Sequence, residues 1–308
     1  MNTNTHFSLK NSIIDVDEFL LSEMTDDNRK NFKHYVEITR HIIELNKLFH
    51  IFRCNLDILL HHFQLNTNGL IVSKVVTENQ ESDYIQINSF TINFISSAKS
   101  LLESIEAFMK TNSSSETFKL FKEKYLSKTY DNCFSYRLLL HLRNFAQHGH
   151  LPVSIDNKRV YFDLYEILNV PHFDLNKNLS KEIAELEKDI YDKYGDLPHI
   201  SYTFTIAEFN VEVTKVYCDF LNASKSLLND SITKINTLLK EKPYFVISDQ
   251  NSPFKGMVLF DYDDNQTVHF FDSKVNIMKN FYEFKKEALR IKKNEEYMLT
   301  EIKKELKR

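Results

Sequence analysis

The stretch Tyr136-Arg-Leu-Leu-Leu-His-Leu-Arg-Asn-Phe-Ala-Gln-His-Gly-His150 decides how this chain is read. At the helical 100° per residue it separates into two faces. Taking Arg143 as the origin, Gln147 falls at about 40°, Asn144 at about 100°, His148 at about 140° and His141 at about 160°. Leu138, Leu139, Leu142, Phe145 and Ala146 fill the arc from about 200° to about 320°, the side a core takes. Gly149 follows as the expected C′ residue and Pro152 comes shortly after, so the helix stops there. One helix end therefore carries an arginine, two amides and histidines opposite its apolar stripe.

Two chemistries compete for that cluster. It is an ordinary polar arc on a bundle helix, hydrogen-bonded to neighbouring helices, or it is a phosphodiester site. Arginine's permanently charged fork suits phosphate oxygens, and histidine exchanges a proton near neutral pH. An Arg–His pair suits metal-free RNA cleavage: the histidine takes the 2′-OH proton or protonates the leaving oxygen. The arginine stabilises charge on the phosphorane-like transition state.

Arg143-Asn144-Phe-Ala-Gln-His148 resembles the HEPN signature, an arginine and a polar residue followed by a histidine four to six positions after the arginine. Leu142 and the trailing Gly149-His-Leu-Pro152 look like bacterial members found in toxins and phage-defence proteins. The resemblance implies a HEPN-like helical bundle forming a homodimer, with two motifs facing one cleft as a metal-independent endoribonuclease. It implies Arg143 and His148 as the catalytic pair, Asn144 as polar support with Gln147 and His141 beside it, and no metal or other cofactor. An acidic residue from an earlier helix commonly contacts this motif, and Glu106 is the candidate for orienting Arg143. Its alternative is an i,i+4 pair with Lys110. Expected partners are RNA, a second copy of the chain, and an antitoxin or defence-system protein.

Composition frames these readings. The chain has 308 residues, 42% hydrophobic, with 25 Phe, ample for a sizeable core. It has only 4 Gly and 5 Pro, which argues for long helices and few tight turns. No apolar run is long enough to span a bilayer, and the N-terminal residues lack signal-peptide order. Cys54, Cys133 and Cys218 are widely spaced and odd in number, which points to small buried residues in a reducing cytoplasm. Net charge is −4, so general nucleic-acid affinity has no support. From Lys274 to Arg308, eleven Lys/Arg stand against six Glu, a local +5 that leaves −9 elsewhere.

The fold class expected is mainly α, with a small β insertion and a C-terminal β-plus-helix (α+β) appendage. Residues 1–27 are polar with a short apolar patch, Ile13–Leu21, and form an arm with one short helix. Residues 28–242 form the helical domain. Its first helix, about Asn28–Phe63, repeats Val36, Ile43, Leu48, Phe52, Leu56 and Leu59. A second, about Tyr84–Lys110, buries Phe90, Phe94, Ala98, Leu101, Leu102, Ile105 and Phe108. Glu116–Leu126 is a short helix, and the motif helix runs from Asp131 to His148, about 26 Å. Leu70–Val76 has strand content or starts a helix, and about 153–170 reads as a hairpin or strand insertion. Charged Leu179–Tyr194 and long Ile206–Leu239 follow as helices. Residues 243–308 hold three short strands, at Tyr244–Ser248, Gly256–Phe260 and Thr267–Phe271, and a long amphipathic helix. Asp261–Asn265 lacks the glycine and closing glutamate of an EF-hand and reads as a hairpin loop. The last helix carries a heptad-like seam through Ile277, Phe281, Phe284, Ala288, Ile291, Met298 and Ile302, skipping Glu295; it packs on its own domain or on a second chain.

A non-catalytic RNA-binding or scaffold protein on the same bundle is the alternative function. A metal hydrolase using His141, His148 and His150 is a third, weakened because only His141 and His148 share a face.

Overall fold

The structure, a computed structural model, describes residues 6–9, 12–15, 26–74, 80–170, 177–194, 199–241, 256–260, 268–272 and 274–306. It is mainly helical. The chain divides into two compact units, each built from two stretches: 1–44 with 223–286, and 45–222 with 287–308. The sequence reading instead divides the chain contiguously, at 27 and 242.

The first unit opens with strands β1 (His6–Leu9) and β2 (Ser12–Asp15), an antiparallel pair. The Ile13–Leu21 patch thus begins as strand, and its remainder, like residues 16–25 as a whole, lies outside the described residues. Helix α1 (Asp26–His62) starts here and buries Ile38 and Ile42.

In the second unit α1 buries Phe49, Phe52, Leu56 and Leu59, while Ile43, just before it, is exposed. Strands β3 (Phe63–Leu65) and β4 (Ile71–Lys74) follow. Helix α2 (Gln80–Asn112) runs past both ends of its expected span and buries Phe94, Ala98, Leu101, Leu102, Ile105 and Phe108, with Phe90 half-buried. Helix α3 (Ser115–Phe121) is capped by Ser114, whose Oγ accepts from the Thr117 amide at 3.2 Å, satisfying one of the orphan donors of a helix start. A π-helical turn, Lys122–Ser127, leads into α4 (Lys128–Asn132).

Cys133 then adopts extended backbone (φ −122, ψ 110), and α5 runs Phe134–Gln147. The motif helix is therefore shorter than expected. Its 14 residues rise about 21 Å, because Asp131 and Asn132 belong to a separate helix before the break. Arg137 secures the junction, donating to the carbonyls of Tyr130 and Asp131 at 2.6 and 2.7 Å and to Glu182 Oε1 at 2.5 Å.

After α5, β5 (Ser154–Asp156) and β6 (Arg159–Asp163) form the expected hairpin. Asn157 and Lys158 both have positive φ, 47 and 65, as a two-residue hairpin turn whose twist matches its strands requires. Helix α6 (Leu164–Asn169) is capped by Asp163, and α7 (Lys177–Tyr194) follows. Strand β7 (His199–Ser201) joins β6 as a third, antiparallel neighbour, too short to be legible in the sequence. Gly69 touches this sheet: its carbonyl accepts from the Val160 amide at 2.8 Å. With φ +76, a Cβ there would lie 2.4 Å from the Val160 carbonyl oxygen, so only glycine fits.

Helix α8 (Tyr202–Glu241) supplies the centre of the second unit's core. Phe209 meets Phe94 edge-on at 5.6 Å and Tyr136 at 5.8 Å. Phe49 stacks on Tyr217 at 4.1 Å, and Phe52 on Phe94 at 5.2 Å. Such pairs add to the burial of the rings themselves. Aromatic contacts thus tie α1, α2, α5 and α8 into one bundle.

The first unit resumes with the C-terminal part of α8, burying Leu228 and Ile232. Strands β8 (Gly256–Phe260) and β9 (Val268–Asp272) pair in full antiparallel register. The strand expected at Tyr244–Ser248 and the Asp261–Asn265 loop lie outside the described residues. Helix α9 (Lys274–Glu305) buries Ile277 and Phe281 in the first unit and Ala288 in the second. Beyond Glu295 the seam changes phase: Leu299 is buried, whereas Met298 is 55% exposed. The physical reason is Glu295 itself, which turns inward. Its Oε1 accepts from Arg53 Nη2 at 2.7 Å and its Oε2 from Asn210 Nδ2 at 2.5 Å.

Among the described residues no helix is long and apolar enough to cross a membrane.

Candidate functional site at the end of the motif helix

The site begins with why α5 stops where it does. His148 is the C-cap, with φ −86 and ψ 11, and Gly149 takes φ +87. The Gly149 amide donates to the Ala146 carbonyl at 3.1 Å and the His150 amide to the Phe145 carbonyl at 3.4 Å. This pair of bonds is a Schellman stop. Its customary apolar contact is present too, with the His150 and Phe145 rings 5.0 Å apart. Downstream, the buried Asn88 side chain on α2 clamps the chain. Its Oδ1 accepts from the Val153 amide at 2.9 Å and its Nδ2 donates to the Val153 carbonyl at 2.8 Å.

The two faces of α5 separate as expected. Leu138, Leu139, Leu142 and Phe145 are buried, Arg143 and Asn144 are half-buried, and Gln147 and His148 are exposed. The partners are less as expected. Arg143 Nη1 donates to Gln147 Oε1 at 2.7 Å, one turn along the same helix. Glu106 does not orient Arg143: its Oε1 accepts from Lys122 Nζ at 2.6 Å. Among the described residues it makes no ion pair with Lys110 either; its partner Lys122 is the first residue of the π-helical turn. Among the described residues Arg143 has no carboxylate partner.

Asn144 is engaged from α2, its Oδ1 3.3 Å from Lys99 Nζ. Lys99 in turn lies 3.8 Å from the exposed Glu103. His141 Nε2 and Tyr130 Oη are 2.9 Å apart. Burial, and then the positive charge of Lys99, hold the His141 ring below its ordinary value, so it stays neutral to lower pH than a solvated histidine. His141 therefore belongs to a Tyr130–His141 pair beside the motif.

Lys99 and Tyr130 carried no sequence signal. Lys99 lies four residues before Glu103, which in sequence reads as a surface pair, and Tyr130 falls in the short helix before the Cys133 break. The end of α5 thus presents a cation that has no counter-charge among the described residues, a second cation 3.3 Å from the neighbouring amide, and an exposed histidine. That arrangement offers charge to an anion and a group able to exchange a proton. Burial pushes the Cys133 thiol up to about 12, leaving it un-ionised at neutral pH and inert as a nucleophile.

Among the described residues no three His, Cys, Asp or Glu side chains are grouped to hold a metal ion. Comparison of the chain with protein-family models, with curated proteins and with solved structures finds no match.

Proposed function

We propose that the protein is a metal-independent endoribonuclease of HEPN type, cleaving RNA with Arg143 and His148 in a composite site at a homodimer interface. The observation that carries this reading is the company Arg143 keeps. It stands at the polar end of α5 with an amide partner and, among the described residues, no carboxylate, while His148 caps the same helix end.

In the reaction the 2′-oxygen attacks the adjacent phosphorus, forming a P–O2′ bond as the P–O5′ bond breaks. The 2′-OH proton goes to a base and the 5′-oxygen receives a proton, leaving a 2′,3′-cyclic phosphate and a 5′-hydroxyl. His148 serves one of these transfers, with the second copy's motif completing the site. Arg143 stabilises charge on the phosphorane-like transition state. Asn144 and Gln147 hold the surrounding polar frame, and His141, kept neutral, supports it through Tyr130. A cytoplasmic toxin or anti-phage effector, restrained by an antitoxin or defence-system partner, is the setting this chemistry fits.

A non-catalytic RNA-binding or scaffold role is the second reading. It is favoured by the hydrogen bonds that already engage Arg143 and Asn144.

The test is induced expression of wild type beside His148→Ala and Arg143→Ala at equal protein levels, with total RNA read on a gel. Growth arrest and RNA breakdown, relieved by both substitutions, is the expected result. Intact RNA with wild type, joined to lost folding in the variants, would favour the scaffold.

A further inference from the structure

A second feature lies apart from α5. Within the unit formed by 45–222 and 287–308, the ends of α1 and α9, the start of α8 and the Phe63–Thr67 segment line a half-open pocket of about 670 Å³. That volume is in the range of small-molecule sites. Leu56, Phe63, Ile206 and Ile302 give it apolar walls. Leu60 and Met298, both more than half exposed, also line it.

Its charges are unequally committed. Arg53, the one cation of the lining among the described residues, is consumed in a closed ring: it donates to Asn210 Oδ1 at 2.8 Å and to Glu295 Oε1 at 2.7 Å. Asn210 completes the ring by donating to Glu295 Oε2. Both partners of that ion pair are mostly buried, so an anionic ligand would have to break it without replacing its energy. Among the described residues three further carboxylates line the cavity: the half-buried Glu301 and the exposed Asp57 and Glu305. Glu301 is shared with Lys304 at 2.8 Å. Asp57 and Glu305 have no ion-pair partner among the described residues. Apolar walls beside uncompensated acids repel anions and attract an ammonium head joined to an apolar body.

We infer that this cavity is a binding site for a small organic cation, its ammonium group at Asp57 and Glu305 and its hydrocarbon or aromatic part against Phe63 and Ile206. The inference stands independently of the proposed nuclease, since no residue of α5 lines the cavity.

Three probes of one shape and different heads test it by calorimetry on the full chain: 4-phenylbutylammonium, 4-phenylbutanol and 4-phenylbutanoate. The ammonium compound is expected to bind at least about tenfold more tightly than the alcohol, with the carboxylate showing no binding, and added salt should weaken the ammonium alone. Asp57→Asn and Glu305→Gln should each weaken the ammonium compound by about two- to fivefold and leave the alcohol unchanged, as loss of one exposed charge implies. Met298→Lys, which places a cation at the cavity, should lower ammonium affinity further while the circular dichroism spectrum stays that of wild type. Equal affinity for ammonium and alcohol, preference for the carboxylate, or no heat from any probe would overturn the inference.

Discussion

Two arginines of this protein each bond to an amide side chain, and they illustrate opposite uses of the same group. Arg53 reaches across the bundle to Asn210 and Glu295, residues 157 and 242 positions away in the chain. Its charge is cancelled, and the side chain is only 16% exposed. Arg143 reaches only to Gln147, four positions along its own helix, and among the described residues no acid neutralises it. A guanidinium tied to a distant, mostly buried carboxylate is a cross-brace. One held in place by a local amide keeps its charge available to a ligand. The two sites teach that counter-charge, more than the number of hydrogen bonds, separates a structural arginine from a candidate functional one.

The sharpest way to break this comparison is to remove each arginine in turn. Arg143→Ala should lower RNA cleavage by about 100-fold or more while stability, followed by urea titration, moves by less than about 0.5 kcal/mol. Arg53→Ala should do the reverse, leaving Glu295 inward-facing and unpaired at a loss of about 2–3 kcal/mol, with cleavage per folded molecule unchanged. Similar stability losses at both positions would make Arg143 a brace as well and hand the function to the scaffold reading.

The next effect is one of backbone. Gly69→Ala should destabilise by about 1–3 kcal/mol, since φ +76 and the Val160 carbonyl at 2.4 Å leave no room for a Cβ. Gly149→Ala also meets a positive φ but has nothing within 4 Å, so its loss in the same titration should be the smaller. Equality of the two would mean that the close approach to Val160 contributes nothing beyond the strained dihedral.

A pH dependence follows from His141. Its folded-state value is lowered from 6.5 by burial and by Lys99, so below the unfolded value the unfolded chain binds the extra proton. Stability from this group is therefore present above about 6.5 and is lost as pH falls toward the folded value. Melting temperature should drop on acidification through that window, and His141→Gln should flatten that part of the profile. An unchanged slope in the variant would remove His141 as its source. Smallest of all, Glu106→Gln should cost about 0.2–1 kcal/mol and alter cleavage by less than about twofold, because its partner is Lys122 on the surface and not Arg143.

How much of this was legible beforehand depends on the range of the interaction. The buried face of α5, its stop at Gly149, the hairpin at residues 154–163 and the start of α9 at Lys274 all follow from local rules. Those rules are periodicity, a left-handed stop residue and a two-residue turn. The break at Cys133 is not legible, because nothing in Asp131-Asn132-Cys133-Phe134 forbids a continuous helix. The phase change after Glu295 showed only as a gap in a seam. Its cause, Arg53 and Asn210, lies far away in the chain.

The sequence by itself determined most of the long helices, the buried face of α5 and the clustering of Arg143, Asn144, Gln147 and His148 at its end, since these depend on residues within a few positions of one another. Only the tertiary structure decided which charges are cancelled. It set Glu106 on Lys122, Asn144 on Lys99, His141 on Tyr130 and Arg53 on Glu295. Coulomb and hydrogen-bond energies act over a few ångströms of space, and no spacing along the chain reports which helices come that close.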